Sequence, residues 1–132
     1  MRDRLGLAGF GLLVLALPLV AHHAFEAEYD FKKQATVSGV VTKVEWMNPH
    51  AHFYVDVKDA AGHVTNWNFE LGALPVLLKQ GWNRNSLKAG DHVTVEGFLA
   101  KDGTKSMANA RRVTLPDGRR VFGGSSADVN NQ

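Results

Sequence analysis

The sequence predicts an all-β chain with one short helix, folded as a small five-stranded OB-like barrel; a β-sandwich is the alternative. Three observations lead there. Residues 36–46, 51–58 and 64–71 are rich in β-branched or alternating apolar residues, residues 72–80 switch to a helical spacing, and residues 92–100 and 108–115 return to strand character. Three strands, a short helix and two more strands is the element order of an OB barrel.

The segment ahead of the first strand has a different character. Arg2 and Arg4 precede an uncharged apolar stretch from residue 5 to residue 20, with Pro18 near its end and the small Ala21 after it. A basic start, a short apolar run and a small residue mark a secretory signal peptide. The run is shorter than the roughly twenty residues that cross a bilayer, so residues 1–21 read as a removable leader, with a retained anchor as the alternative. The mature chain is then expected in the periplasm or outside the cell, with no membrane attachment after cleavage. Cleavage after Ala21 makes His22 the first residue. Cleavage after Val20 would leave Ala21-His22-His23 instead.

In the first strand, Val37, Val41 and Val44 stand among β-branched neighbours, and Gly39 suggests a bend or bulge. Asn48-Pro49 interrupts it. The second strand alternates, with Phe53, Val55 and Val57 on one face and His52, Tyr54 and Asp56 on the other. A turn at residues 59–62 leads to the third, where Trp67, Phe69 and Leu71 share a face. Leu74, Leu77 and Leu78 then recur at helical spacing, and Gly81 suits a helix C-terminal cap. Val93 and Val95 alternate in the fourth strand. The fifth ends at Pro116-Asp117-Gly118, a turn into residues 119–122. The barrel domain is thus expected over residues 22–122, with the small, polar residues 123–132 as a disordered tail.

Charge and cysteine content narrow the function classes. Removing residues 1–21 lowers Lys plus Arg from 15 to 13 and Asp plus Glu from 13 to 12, a net charge of +1. The basic doublets Lys32-Lys33, Arg111-Arg112 and Arg119-Arg120 are scattered, unlike the one-sided basic stripe of a nucleic-acid binder. No nucleic-acid partner is expected. There is no cysteine, so stability in an oxidising compartment must come from the packed core.

Several pieces carry a resemblance. They are Ala21-His22-His23 followed by Phe25 and Glu28-Tyr29-Asp30, then Gly39-x-Val41-x-x-Val44-x-Trp46-x-Asn48-Pro49-His50, then Trp67-x-Phe69-Glu70. Gly81-Trp82, Leu87-Lys88-x-Gly90-Asp91 and Asn109-Ala110-Arg111 extend the match over nearly the whole mature chain. These pieces resemble a family of uncharacterised exported bacterial proteins. The resemblance implies a periplasmic domain and no particular activity.

The candidate chemistry therefore comes from spacing. Four of the six histidines fall in two clusters, His22-His23 and His50-x-His52. A terminal amine beside an imidazole suits Cu(II) or Ni(II), which favour nitrogen-rich tetragonal sites. Side chains at i and i+2 of a strand share a face, so His50 and His52 can present both imidazoles together. The expected metal ligands are His22 through amine and ring, His50 and His52 from the strand, His23 in reserve and Met47 as a soft axial group; copper is the preferred ion. The competing reading leaves His22 and His23 as frayed terminal residues, His50 as a turn residue and His52 as an exposed strand residue. His63 and His92 read as surface residues.

The aromatics offer a second candidate. Trp46, Trp67 and Trp82, with Phe53 and Tyr54, could stack on a flat ligand such as a sugar, although aromatics in a small barrel are more often core. Trp46 at a strand end and Tyr54 are the residues expected to meet it, whereas Trp67, sharing a face with Phe69 and Leu71, reads as core. Catalysis finds little in the sequence: no reactive cysteine, no Ser-His-Asp spacing and no Gly-rich phosphate loop. The combined expectation is an exported metal-binding or accessory protein. Its alternative is a metal-free module that binds an envelope protein or a glycan, and a copper enzyme ranks third.

Overall fold

The computed structural model describes residues 23–124. The leader, His22 and residues 125–132 lie outside the described residues. Residues 23–28 form a short helix, α1, that runs directly into β1 (Tyr29–Glu45). β2 (His52–Lys58), β3 (Val64–Glu70), the helix α2 (Leu74–Lys79), β4 (His92–Ala100), β5 (Met107–Thr114) and β6 (Arg120–Phe122) follow in order.

β1 starts seven residues before the strand expected from sequence, at Tyr29 and not at residue 36. Lys32, Lys33 and Gln34 carry no alternating apolar signal, yet Gln34 to Val40 pair antiparallel with β4 from Phe98 to His92. Pairing to a neighbour overrides local preference here. The second half of β1 turns to β2, with Val41 opposite Val55 and Glu45 opposite His52. One long strand thus serves both halves of the barrel.

The change of partner falls at Gly39 and Val40. A Cβ on Gly39 would run into the carbonyl oxygen of Asp56 and the side chain of Val55. The bend expected at Gly39 is therefore a close backbone approach, and the register shift lies just beyond it, between Val41 and Lys43. β2 and β3 form a hairpin whose turn is fastened by Asp59, which accepts from the backbone N–H groups of Ala61 and His63 at 2.9 Å each.

Closure comes from β3 and β5. Phe69 and Glu70 pair in parallel with Ala108 and Asn109, which completes the ring β1-β2-β3-β5-β4 and returns to β1. That ring is the OB topology and excludes the sandwich alternative. β6 adds a sixth strand on β5 beyond the ring. α2 begins with Pro75 in its first turn, buries Leu77 and stops at Gly81, whose φ of +91° is the left-handed conformation of a helix C-cap.

Two clusters of buried side chains result. The larger fills the barrel with Val41, Phe53, Val55, Phe69, Val95 and Val113, on which Trp46 and Trp67 pack from the side. Trp67 stacks on Phe69 at 6.0 Å, and Trp82 is buried with its indole N–H donating to the carbonyl of Phe122 at 2.7 Å. The smaller cluster joins Phe25, Tyr29, Phe98 and Ala100, with Phe31 and Met107 packed against it. Phe98 and Ala100 alternate with the inward Val95 and Leu99 along β4, so this cluster lies on the outer wall. α1 and the start of β1 cover that wall. Gly123 and Gly124, expected in the tail, are instead buried, and the Gly123 carbonyl accepts from the Gly72 N–H at 2.7 Å. The packed unit therefore extends at least to Gly124.

Gly39→Ala should destabilise the barrel by about 1–3 kcal/mol, the usual cost of forcing atoms into a packed position. Gly103→Ala, where a Cβ meets nothing within 4 Å, should be close to neutral. Urea denaturation midpoints of the two variants check the contrast.

Candidate functional site

Alternation along β2 and β3 sends Phe53, Val55, Trp67 and Phe69 inward and His52, Tyr54, Asp56, Asn66, Asn68 and Glu70 outward. Cross-strand register then lines up Glu45, His52, Glu70 and Asn109 in one row over β1, β2, β3 and β5. Most outward side chains of a barrel meet solvent. Glu70 is only 8% exposed and Asn109 only 2%, because the outer cluster under α1 covers their end of the row.

A buried carboxylate is costly unless hydrogen bonds satisfy it. Glu70 has two partners. The Tyr29 hydroxyl donates to its Oε2 at 2.5 Å, and Nδ1 of His50 lies 2.7 Å from its Oε1. The imidazole of His50 is half exposed, so a buried carboxylate holds a ring that reaches solvent. His52 is held by the same strand: its Nδ1 lies 2.9 Å from Oδ1 of Asn68. Both histidines thus engage β3 acceptors through Nδ1. Among the described residues, Asn109 Oδ1 has no hydrogen-bond partner, and Asn109 is in strand register with Glu70.

Burial first, and then the hydrogen bond to Glu70, hold the Tyr29 phenol far above its ordinary value of 10.0. At the neighbouring end of the row, Lys43 lies 2.6 Å from Glu45 and holds that carboxyl below its usual range. The Tyr54 hydroxyl donates to the other Glu45 oxygen at 3.3 Å, and desolvation raises its phenol. Lys43 also sits over the Tyr54 ring at 5.4 Å. Asp56 accepts from the Asn66 amide at 2.8 Å farther along the face. On β2, β3 and the adjoining half of β1, the outward carboxylates are Glu45, Asp56 and Glu70, and the outward lysines are Lys43 and Lys58.

The residues proposed from sequence are dispersed around this face. His50 is a loop residue and not part of β2, but strand geometry persists behind it, since the Ala51 carbonyl accepts from Leu71 and its N–H donates to Gly72. Ala51 is fully buried between the two histidines. Met47 is half exposed in the same loop, Trp46 is half buried on the barrel core, and Tyr54 is half buried on the outer face. His23 is exposed at the start of α1. His63 lies beside the Asp59 carboxylate in the turn, and His92 is an exposed strand start. Among the described residues, no group of three or more His, Asp or Glu side chains comes together so as to hold a metal ion.

Sequence reading missed Tyr29, Asn68, Glu70 and Asn109. Glu70 occupies an outward position of an alternating strand, which ordinarily means solvent, and only the docking of α1 changes that. No spacing signal joins Tyr29 to Glu70 across forty-one positions.

The model of one protein family matches residues 11–109. The chain belongs to that family, DUF6152, a family of unknown function. Its matched span takes in Tyr29, the Asn48-Pro49-His50 loop, Glu70 and Asn109. No curated protein matches the sequence. Among solved structures, the chain is similar to the mitochondrial single-stranded DNA binding protein Rim1 of S. cerevisiae, with 13% identity, 63% of this chain and 92% of that one covered, and a TM-score of 0.49. A second crystal form of Rim1 gives 12% identity, 63% and 91% coverage and a TM-score of 0.48. The N-terminal domain of PriB from Thermoanaerobacter tencongensis shares 17% identity over 64% of this chain and 96% of its own, with a TM-score of 0.42.

Tyr29→Phe removes the donor to a buried carboxylate and should cost about 1–3 kcal/mol at neutral pH. The alkaline limb should change as well. A raised phenol keeps its proton in the folded state where the unfolded chain begins to lose it, so Tyr29 stabilises fully below pH 10 and less as pH rises beyond. The loss should run at about 1.4 kcal/mol per pH unit. In Tyr29→Phe that slope should shrink to the smaller contributions of Tyr54 and the exposed Lys43, as measured by urea unfolding from pH 9 to pH 11.

Proposed function

We propose that this protein is an exported metal-binding or accessory module that binds a transition-metal ion, copper by preference, on the outer face of β2 and β3. The observation that carries this reading is that His50 and His52 each engage a β3 acceptor through Nδ1. Metal-ligating histidines characteristically give one ring nitrogen to a carboxylate or carbonyl partner and keep the other for the ion. Here Nε2 of each ring is the remaining donor.

Two imidazoles make an incomplete set, and the amino-terminal segment is the natural source of the rest. Tyr29 ties that segment to Glu70, which in turn holds His50. His23 lies six residues before Tyr29, about 9 Å along a helix. After cleavage at Ala21, His22 would add an amine and a ring nitrogen from just beyond it. Met47 is the soft ligand available in the loop.

The second reading, a metal-free module for an envelope protein or glycan, is favoured by a different observation. OB barrels bind oligosaccharides and oligonucleotides on the β2–β3 face and at the β1–β2 loop, and here that face carries Tyr54, Asp56, Asn66 and Asn68 with Trp46 beside the loop. Three carboxylates against two lysines, Lys43 and Lys58, give no one-sided basic face for a nucleic-acid ligand, whose affinity depends on neutralising phosphate.

Calorimetric titration of Cu(II) into mature protein with an authentic amino terminus separates the readings. One equivalent should bind tightly, and His50→Ala combined with His52→Ala should abolish that binding. No binding by the wild type, or unchanged binding by the double variant, counts against the metal reading. In that case Tyr54→Ala should weaken capture of the glycan or envelope partner.

A further inference from the structure

We infer that Glu70 is a positioning residue that fixes His50 with its proton on Nδ1 and its lone pair on Nε2. The inference rests on the metal reading for its purpose, but its geometry stands alone. Glu70 lies on the outer wall of the barrel, buried and held there by Tyr29 of the outer cluster. Its second oxygen lies 2.7 Å from Nδ1 of His50. An ionised carboxylate can only accept, so Nδ1 must donate, and a neutral ring is then left with an unprotonated Nε2. The opposite tautomer would set a lone pair against the carboxylate. It survives only if Glu70 is protonated and donates to His50.

The arrangement also explains why a carboxylate stands at this position. An outward residue of β3 under an apolar cover would be cheaper as an apolar side chain or an amide. Glutamate there has one exposed consequence, the orientation of a half-exposed imidazole. Tyr29 sets the carboxylate itself, since its hydroxyl occupies Oε2 and leaves Oε1 for His50. The ring lies in the Asn48-Pro49-His50 loop, where backbone bonds hold Ala51 to β3 but nothing in strand geometry fixes the side chain. Orientation therefore falls to Glu70. Phe25 and Phe31 anchor the same segment as Tyr29, so docking of the amino-terminal segment and the aim of His50 are linked through one side chain.

Long-range proton–nitrogen correlation of the histidine rings in the metal-free mature protein, above pH 8, reads this directly. His50 should show the Nδ1–H tautomer alone in the wild type and in Tyr29→Phe, where Glu70 is kept. In Glu70→Leu, which leaves no acceptor at this position, that single-tautomer signature should be lost, while His52 keeps its own. Copper affinity of Glu70→Leu should fall about 10- to 100-fold, the usual effect of removing a partner of a ligating histidine. A wild-type His50 in the Nε2–H form, or a Glu70→Leu spectrum unchanged from wild type, overturns the inference. Should Glu70→Leu fail to fold, the wild-type tautomer decides. Should the wild type bind no copper yet show the tautomer and its loss in Glu70→Leu, the positioning role stands and the metal reading falls.

Discussion

The constraint on which the rest of this structure turns is the satisfaction of one buried carboxylate. Glu70 sits where β3 closes against β5, on the outer wall of the barrel, and α1 shuts water away from it. Ionised side chains rarely tolerate such a place without charge-assisted partners. Tyr29 and His50 are those partners, and they come from the start of β1 and from the loop that follows its end. Meeting the demands of Glu70 therefore ties the amino-terminal segment, the β1–β2 loop and the barrel seam together. Removing either partner would leave a buried acceptor short of a donor, the expensive half of any hydrogen bond.

The barrel supplies the frame for that arrangement. β1 is long enough to pair with β4 and then with β2, and Gly39 permits the close passage between the two. Parallel pairing of β3 with β5 puts Glu70 in register with Asn109, and the β2–β3 hairpin puts His52 beside Glu70. Inside the ring, Phe53, Phe69 and the valines fix the register, since a slip by one residue would exchange the inner and outer faces. The polar row on the outside is thus positioned by apolar packing on the inside. In the proposed function, that row presents two oriented imidazoles, and the amino-terminal segment completes their coordination.

Much of the fold was legible because its signals are local. The alternation of Phe53, Val55 and Val57, the helical recurrence around Leu77 and the turn residues at Pro116-Asp117-Gly118 each mark an element within a few positions. The first seven residues of β1 were not, because Lys32, Lys33 and Gln34 become strand only by pairing with β4. The candidate face was half legible. His50 and His52 stood out by spacing, and the fully buried Ala51 between them keeps the alternation from which their shared face was argued. Glu70 and Tyr29 did not stand out, since burial on an outer wall depends on which segment docks there. The three-ligand grouping is also a tertiary matter, and among the described residues it does not form.

The central claim is that this face offers His50 and His52 jointly to one metal ion. Electron paramagnetic resonance of the mature protein with one equivalent of Cu(II), carrying histidine labelled with nitrogen-15, tests it most directly. At least two imidazole nitrogens coupled to the copper, two of them lost in the paired His50→Ala and His52→Ala variant, is the result expected. A spectrum of aqueous copper, or imidazole couplings unchanged in that variant, would contradict it.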